Sequence, residues 1–181
     1  MKTTELDIEK AAGAIIDKDG IDAITVDALA LQTEIAKSEL VSYFKNKNEV
    51  LKFIALRLEN EIHKLINDIA EKKHAPEKEL SDLFKGLYNF FNQKSYFLEL
   101  LFADVEHEND VRIILLGIRK TVKNQLWKII EQGKKTGAFN PHVDTRYEVE
   151  SILNSFRFFM SDIPMTHKMI RDLKKIRERE E

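Results

Sequence analysis

Apolar residues recur at three- and four-residue spacing along nearly the whole chain, and this periodicity restricts the fold more than any other feature. Its clearest run is Val50, Leu51, Ile54, Leu58, Ile62, Leu65 and Ile69, a stripe on one helix face over about five turns. No segment alternates with the period of two that a half-buried strand requires. Only six glycines and three prolines interrupt the pattern. Hydrophobic residues make up 43% and charged residues 33%, enough apolar surface for a packed core and enough charge to solvate its outside. The expected fold class is all-α, about eight or nine amphipathic helices with short connections.

The breaks divide the chain. A first helix over 5–18 turns Leu6, Ile8, Ala12, Ile15 and Ile16 inward and ends at Asp19-Gly20. Thr25 caps a short helix from Val26 to about residue 32, and another runs from about 36 to 43. Asn46 opens the long fourth helix, with Asn46-Lys47-Asn48-Glu49 spaced as a reciprocal capping box. His74-Ala75-Pro76 breaks it, and Pro76 suits the first turn of a fifth helix over about 77–92. A sixth covers about 95–105 and a seventh about 110–132, which the Gly133–Gly137 segment ends. The eighth spans about 144–161, and Pro164 separates it from a last helix with a charged end.

Several function classes are excluded or unsupported. Cysteine is absent, so disulfides, thiolate nucleophiles and cysteine-held zinc are out. The histidines (His63, His74, His107, His142, His167) are scattered, none at metal-ligand spacing from another ligand. No Gly-rich phosphate loop, nucleophile elbow or paired-carboxylate motif occurs. No catalytic residue, metal or cofactor is therefore expected, and the chain does not read as an enzyme. No apolar run reaches the roughly eighteen residues of a membrane span, and residues 1–5 lack a secretion signal. A cytoplasmic protein with no membrane partner is expected.

Residues 26–43 have the pattern of a helix-turn-helix. Val26, Leu29 and Ala30 share a face of its first helix, Ile35 sits in the turn, and Leu40 and Tyr43 lie on the second helix. Ala30 is small enough for a close crossing. The second helix would then project into a major groove, with Lys37, Ser38, Glu39 and Ser42 outward. Charge does not reinforce this. Residues 1–50 hold six basic and ten acidic side chains, although the whole chain carries only −2. A DNA-binding head ordinarily has a basic surplus, because phosphate neutralisation supplies much of the affinity.

The run Ala11-Ala12, Asp19-Gly20, Thr25-Val26, Leu29-Ala30, Ile35-Ala36-Lys37-Ser38, Leu40 and Tyr43-Phe44-Lys45-Asn46-Lys47-Asn48-Glu49-Val50-Leu51 resembles the N-terminal domain of the tetracycline-repressor-like (TetR) family. The resemblance covers about residues 5–55. It implies a DNA-binding domain over 1–47 and a helical ligand-sensing and dimerising domain over 48–181. It further implies a homodimer reading a palindromic double-stranded DNA operator, with repression as the expected direction, under control of a small effector, for which the aromatic residues of the second domain favour an apolar one. Carried onto this chain, Thr25, Tyr43 and Lys47 would contact phosphates. Lys37, Ser38 and Ser42 would reach base edges or nearby phosphates, and Glu39 could accept from a cytosine amino group.

The chain also departs from the family pattern. Glu34 stands where a turn glycine is usual, and a left-handed conformation there would cost about 1–2 kcal/mol. Ala36 replaces a capping serine, a loss of about 1 kcal/mol. Ser38 replaces a glycine, and Val41 an aromatic residue. These departures and the acidic head motivate an alternative, a dimeric helical small-molecule-binding protein with a degenerate helix-turn-helix that does not bind DNA.

Aromatic residues are dense between 84 and 127. Of these, Tyr88, Phe91, Phe102 and Trp127 are the candidates to line an apolar ligand pocket, against the alternative that they are simply core. The eighth helix carries Phe156, Phe158, Phe159 and Met160 almost all round. Such a helix must bury two faces, so Phe156, Phe159 and Met160, with Met169 and Leu173 of the last helix, are the expected dimer interface.

Overall fold

The structure is a computed structural model that describes residues 2–97, 100 and 109–159. Among the described residues all regular structure is helical: α1 (Lys2–Asp19), a 3-10 turn (Ile21–Ala23), α2 (Val26–Gln32), α3 (Lys37–Tyr43), α4 (Lys47–Ala70), α5 (Pro76–Gln93), α6 (Asn109–Thr136) and α7 (Thr145–Phe159). Tyr96, Phe97 and Leu100 are helical within the expected sixth helix. The rest of that segment, and the helix expected after Pro164, lie outside the described residues. No described helix is long and apolar enough to cross a membrane.

Two compact units form. The first takes the described residues within Met1–Glu61 and Gln93–Gly117, the second those within Ile62–Asn92 and Ile118–Glu181. In the first unit α1 packs against the 3-10 turn and α2, and α2 packs against α3. Ile16, Ile24, Leu29, Leu40, Leu51, Ile54 and Leu58 are fully buried there. The inward face of α1 is not the one its hydropathy suggests. Leu6 is exposed, whereas Ala11 and the carboxylate-bearing Glu9 are buried beside Ile8, Ala12 and Ile15.

Glu9 is only 2% exposed, and a charge so placed is tolerable only with partners. It has them. Arg57 of α4 and Lys94 each donate to its carboxylate, and the Tyr96 hydroxyl donates at 2.9 Å. Arg57 also reaches Glu5 at 3.2 Å, and Lys94 reaches Glu61 at 2.7 Å. The Tyr96 ring crosses α1 at Gly13, where a Cβ would stand 2.6 Å from two ring carbons. Glycine is required there for close approach.

The second unit buries Ile62, Ile66 and Ile69 of α4, Leu80, Leu83 and Leu87 of α5, Ile118, Leu126 and Ile129 of α6, and Val149 and Ile152 of α7. Gly133 does not end α6 as its sequence context suggests. The helix continues to Thr136, and Gly137 at φ 75° follows it. Gly133 instead makes room for Phe139, because a Cβ would stand 2.0 Å from its ring. The chain folds back over that gap, the Phe139 amide donating to the Gly133 carbonyl at 3.0 Å.

Burial by itself would raise the Glu9 carboxyl, but the hydrogen bonds from Lys94, Arg57 and Tyr96 outweigh it and hold it below the ordinary glutamate value of 4.5. Burial, followed by the adjacent Glu9 charge, pushes the Tyr96 phenol well above its usual range. A carboxyl depressed in the folded state stabilises the protein above its unfolded value, and that contribution is lost as pH falls through the folded value. Glu9→Gln is therefore expected to lose about 3 kcal/mol at neutral pH, the low end for a broken buried pair since Glu5 and Glu61 still serve the cations. Denaturant titrations of both proteins should show the gap closing as pH drops below about 4.5. A gap independent of pH would contradict this account.

Candidate nucleic-acid interface

The helix-turn-helix assembles from local hydrogen bonds around three buried side chains. Thr25, extended at φ −140° and ψ 160°, caps α2 by accepting the Ala28 amide on its hydroxyl at 3.0 Å. Leu29 of α2 and Leu40 of α3 are fully buried, and Phe44 is nearly so. Thr33 closes α2: its amide and its hydroxyl both donate to the Leu29 carbonyl, at 3.0 and 2.9 Å. Its hydroxyl oxygen also accepts the Ile35 amide at 3.4 Å.

This turn corrects the expectation for Glu34. Among the described residues Lys73 is the one non-glycine residue with positive φ, so Glu34 bears no left-handed strain. Thr33 satisfies the turn in its place. The missing cap at Ala36 is as read from the sequence. Its backbone is extended at φ −61° and ψ 138°, but no side chain caps α3.

The aromatic pair at the end of α3 divides differently from the expected packing set. Phe44 turns inward and meets Phe53 edge-on at 5.5 Å, while Tyr43 is 53% exposed. The Asn46 side chain accepts the Glu49 amide at 3.0 Å, but the Glu49 carboxylate accepts from the Lys45 amide at 2.7 Å, one residue before the expected partner.

These contacts leave Thr25, Lys37, Ser38, Glu39, Ser42 and Tyr43 exposed, with Lys47 partly buried. The Ser42 hydroxyl donates to the Glu39 carbonyl at 2.6 Å. Lys47 contacts Asp22 at 2.7 Å, and its hydrogen bond holds the Asp22 carboxyl below its ordinary range. Lys37 is ion-paired with Asp27. Neither aspartate stood out in the sequence as a partner, because their lysines lie in other elements. Exposed Val41 and Leu31 add apolar surface. Hydroxyls, a carboxylate, ammonium groups and an aliphatic side chain are the types that contact phosphates and base edges.

The expected ligand residues are dispersed in their burial. Phe91 of α5 is buried and stands edge-on to Phe90 at 5.8 Å, Tyr88 is half-buried, and Trp127 of α6 is 40% exposed. Phe102 lies outside the described residues. Of the expected dimer interface, Met160, Met169 and Leu173 also lie outside them, as do the side chains of Phe156 and Phe159.

An open cleft of about 600 Å³ in the second unit is lined by Lys73, His74, Pro76, Gln132 and Thr136, among others, and by none of Tyr88, Phe91 and Trp127. A polar pair missed in the sequence lies in this unit, where buried Gln125 donates to Glu79 at 2.7 Å. Its only sequence signal was a glutamine beside the Leu126–Ile129 core face. Among the described residues no cluster of three or more potential ligands could hold a metal.

No protein-family model matches the chain, and no curated protein matches it. Solved structures do. The TetR family transcriptional regulator PfmR from Thermus thermophilus superposes with a TM-score of 0.73 at 20% identity, over 86% of this chain and 85% of that one. The chain has the TetR fold. The FadR regulator from Bacillus subtilis, solved with stearoyl-CoA, gives 0.70 at 20% identity over 96% and 95% of the two chains. AibR, solved with isovaleryl coenzyme A and operator DNA, gives 0.75 at 14% identity over 93% and 97%. In the TetR fold of this chain the α2–α3 pair is the helix-turn-helix.

Because the Ala36 backbone already has cap geometry, Ala36→Ser is expected to stabilise the protein by about 1 kcal/mol. Glu34→Gly, which relieves no positive φ, is expected to destabilise by about 0.4–1 kcal/mol through the freer unfolded chain. Denaturant midpoints check both, and stabilisation by Glu34→Gly would reverse the reading of the turn.

Proposed function

We propose that this protein is a ligand-responsive DNA-binding transcription regulator that acts as a homodimer on a palindromic operator, with repression as its direction of action. The observation that carries the reading is the division of α3. Leu40 anchors it with no exposed surface, while Lys37, Ser38, Glu39, Ser42 and Tyr43 stand exposed. A helix held by one face with a largely polar outer face, broken by Val41, is suited to a major groove.

In this reading residues 1–47 bind DNA and 48–181 sense ligand and dimerise. Thr25, Tyr43 and Lys47 hold phosphates, Lys37, Ser38 and Ser42 reach base edges or nearby phosphates, and Glu39 faces the bases. Phe156, Phe159, Met160, Met169 and Leu173 join the copies, and Tyr88, Phe91, Phe102 and Trp127 line the effector site. Similarly folded FadR and AibR were solved with acyl-coenzyme A molecules, which makes acyl-coenzyme A the first effector class to try. Two heads must sit about one DNA turn apart, roughly 34–36 Å. A ligand that changes their separation therefore weakens binding, and by linkage the operator weakens ligand affinity by the same factor.

One observation favours a second reading. Lys37 and Lys47 are both paired to aspartates in a head whose acidic residues outnumber its basic ones. That balance suits a dimeric small-molecule-binding protein whose helix-turn-helix has lost DNA.

Fluorescence anisotropy of the full chain against duplex DNA from upstream of its own gene separates the two. The regulator reading predicts saturable binding that weakens steeply with salt and survives excess unrelated duplex. Stearoyl-CoA or isovaleryl-CoA, as the probe, should lower that affinity about 5–150-fold if it is of the effector class. No binding at about 50 mM salt, where even nonspecific contacts are strong, would favour the second reading.

A further inference from the structure

We propose that Asp22 and Asp27 are specificity-determining residues: they occupy Lys47 and Lys37 in the free head and so suppress binding to DNA of arbitrary sequence. The proposal rests on the DNA-reading assignment above and adds a role for residues outside it. The Lys47 ammonium lies 2.7 Å from the Asp22 carboxylate, and Lys37 is ion-paired with Asp27. The Asp22 side chain is fully exposed and that of Asp27 66% exposed. Ion pairs this open add little to folding, so stability does not account for aspartates lying on two lysines that the DNA-reading assignment uses.

A carboxylate and a phosphate present the same group to an ammonium, an anionic oxygen that accepts hydrogen bonds. Each aspartate therefore stands in for a DNA phosphate. When DNA arrives, the lysine can exchange partners, but the displaced carboxylate stays tethered beside a polyanion. The exchange also releases fewer net counterions than a free lysine would. Of the lysines between 37 and 47, Lys45 alone has an ammonium without an acidic partner among the described residues, and exposed Glu34 and Glu39 add further negative charge.

Nonspecific affinity comes almost entirely from phosphate neutralisation, whereas base-edge contacts depend on sequence. Suppressing the first while leaving the second raises the ratio of specific to nonspecific binding, the quantity that decides occupancy among many competing sites. An acidic head is then a device for discrimination.

The test compares full-length wild type with D22N/D27N, and with D68N/E71Q, which removes two exposed charges from the end of α4 and the turn after it. Anisotropy is read on the upstream duplex and on an unrelated duplex across a salt series. D22N/D27N is expected to bind the unrelated duplex about tenfold or more tighter at about 100 mM salt. Its slope of log affinity against log salt should steepen by about 1.8 per head, two lysines at about 0.9 each. The preference for the upstream duplex should narrow, while D68N/E71Q stays near wild type. Binding by D22N/D27N where wild type shows none would also support the proposal.

If wild type binds the upstream duplex and D22N/D27N, with unchanged helicity and melting, matches its affinity and slope, the inference falls and the DNA-reading assignment stands. Equal tightening by D68N/E71Q would overturn it as well, since total charge would then be the cause. Should none of the proteins bind any duplex at about 50 mM salt, the inference and the assignment fall together.

Discussion

The first unit depends on one buried carboxylate. Glu9 sits in α1 with almost no exposed surface, and the groups that compensate it come from α4 and from the segment at Lys94 and Tyr96. A buried charge tolerates little displacement of its partners, so the position of α1 is fixed by elements distant in sequence. The 3-10 turn and α2 pack on α1, and α3 packs on α2. The orientation of the exposed face of α3 within this unit therefore follows from how Glu9 is satisfied.

That arrangement gives the head a well-defined shape and a poor charge. Leu29, Leu40 and Phe44 anchor the helix pair, while Lys37 and Lys47 are engaged by Asp27 and Asp22. Shape without surplus charge suits a reader that depends on base contacts more than on phosphate attraction. The acidic balance and the helix-turn-helix geometry are then parts of one design in the proposed function.

Much of the fold was legible because helical periodicity is a local signal. The α4 stripe is buried as read, except that Leu65 keeps some exposure. The Thr25 cap and the bare Ala36 start were readable from single residue types. What escaped depends on partners far along the chain. Glu9 displaces Leu6 from the inner face because Arg57, Lys94 and Tyr96 satisfy its charge. Gly133 looked like a helix end, yet it is the gap into which Phe139 folds. Glu34 suggests strain by its residue type, yet Thr33 holds the turn and Glu34 has no positive φ. In the site, the outward residues of α3 were legible from helical geometry, but the pairing of Lys37 and Lys47 was not, since ion pairs between elements leave no periodic trace.

The measurement that tests the central claim most directly is selection of bound duplexes from a random pool by the full-length protein, followed by sequencing. A dimer reading DNA through α3 should enrich a palindrome whose half-site centres lie about one helical turn apart, roughly 10–10.5 base pairs, or a multiple of it. A pool that stays random through successive rounds, or that enriches only single unpaired half-sites, would contradict the account.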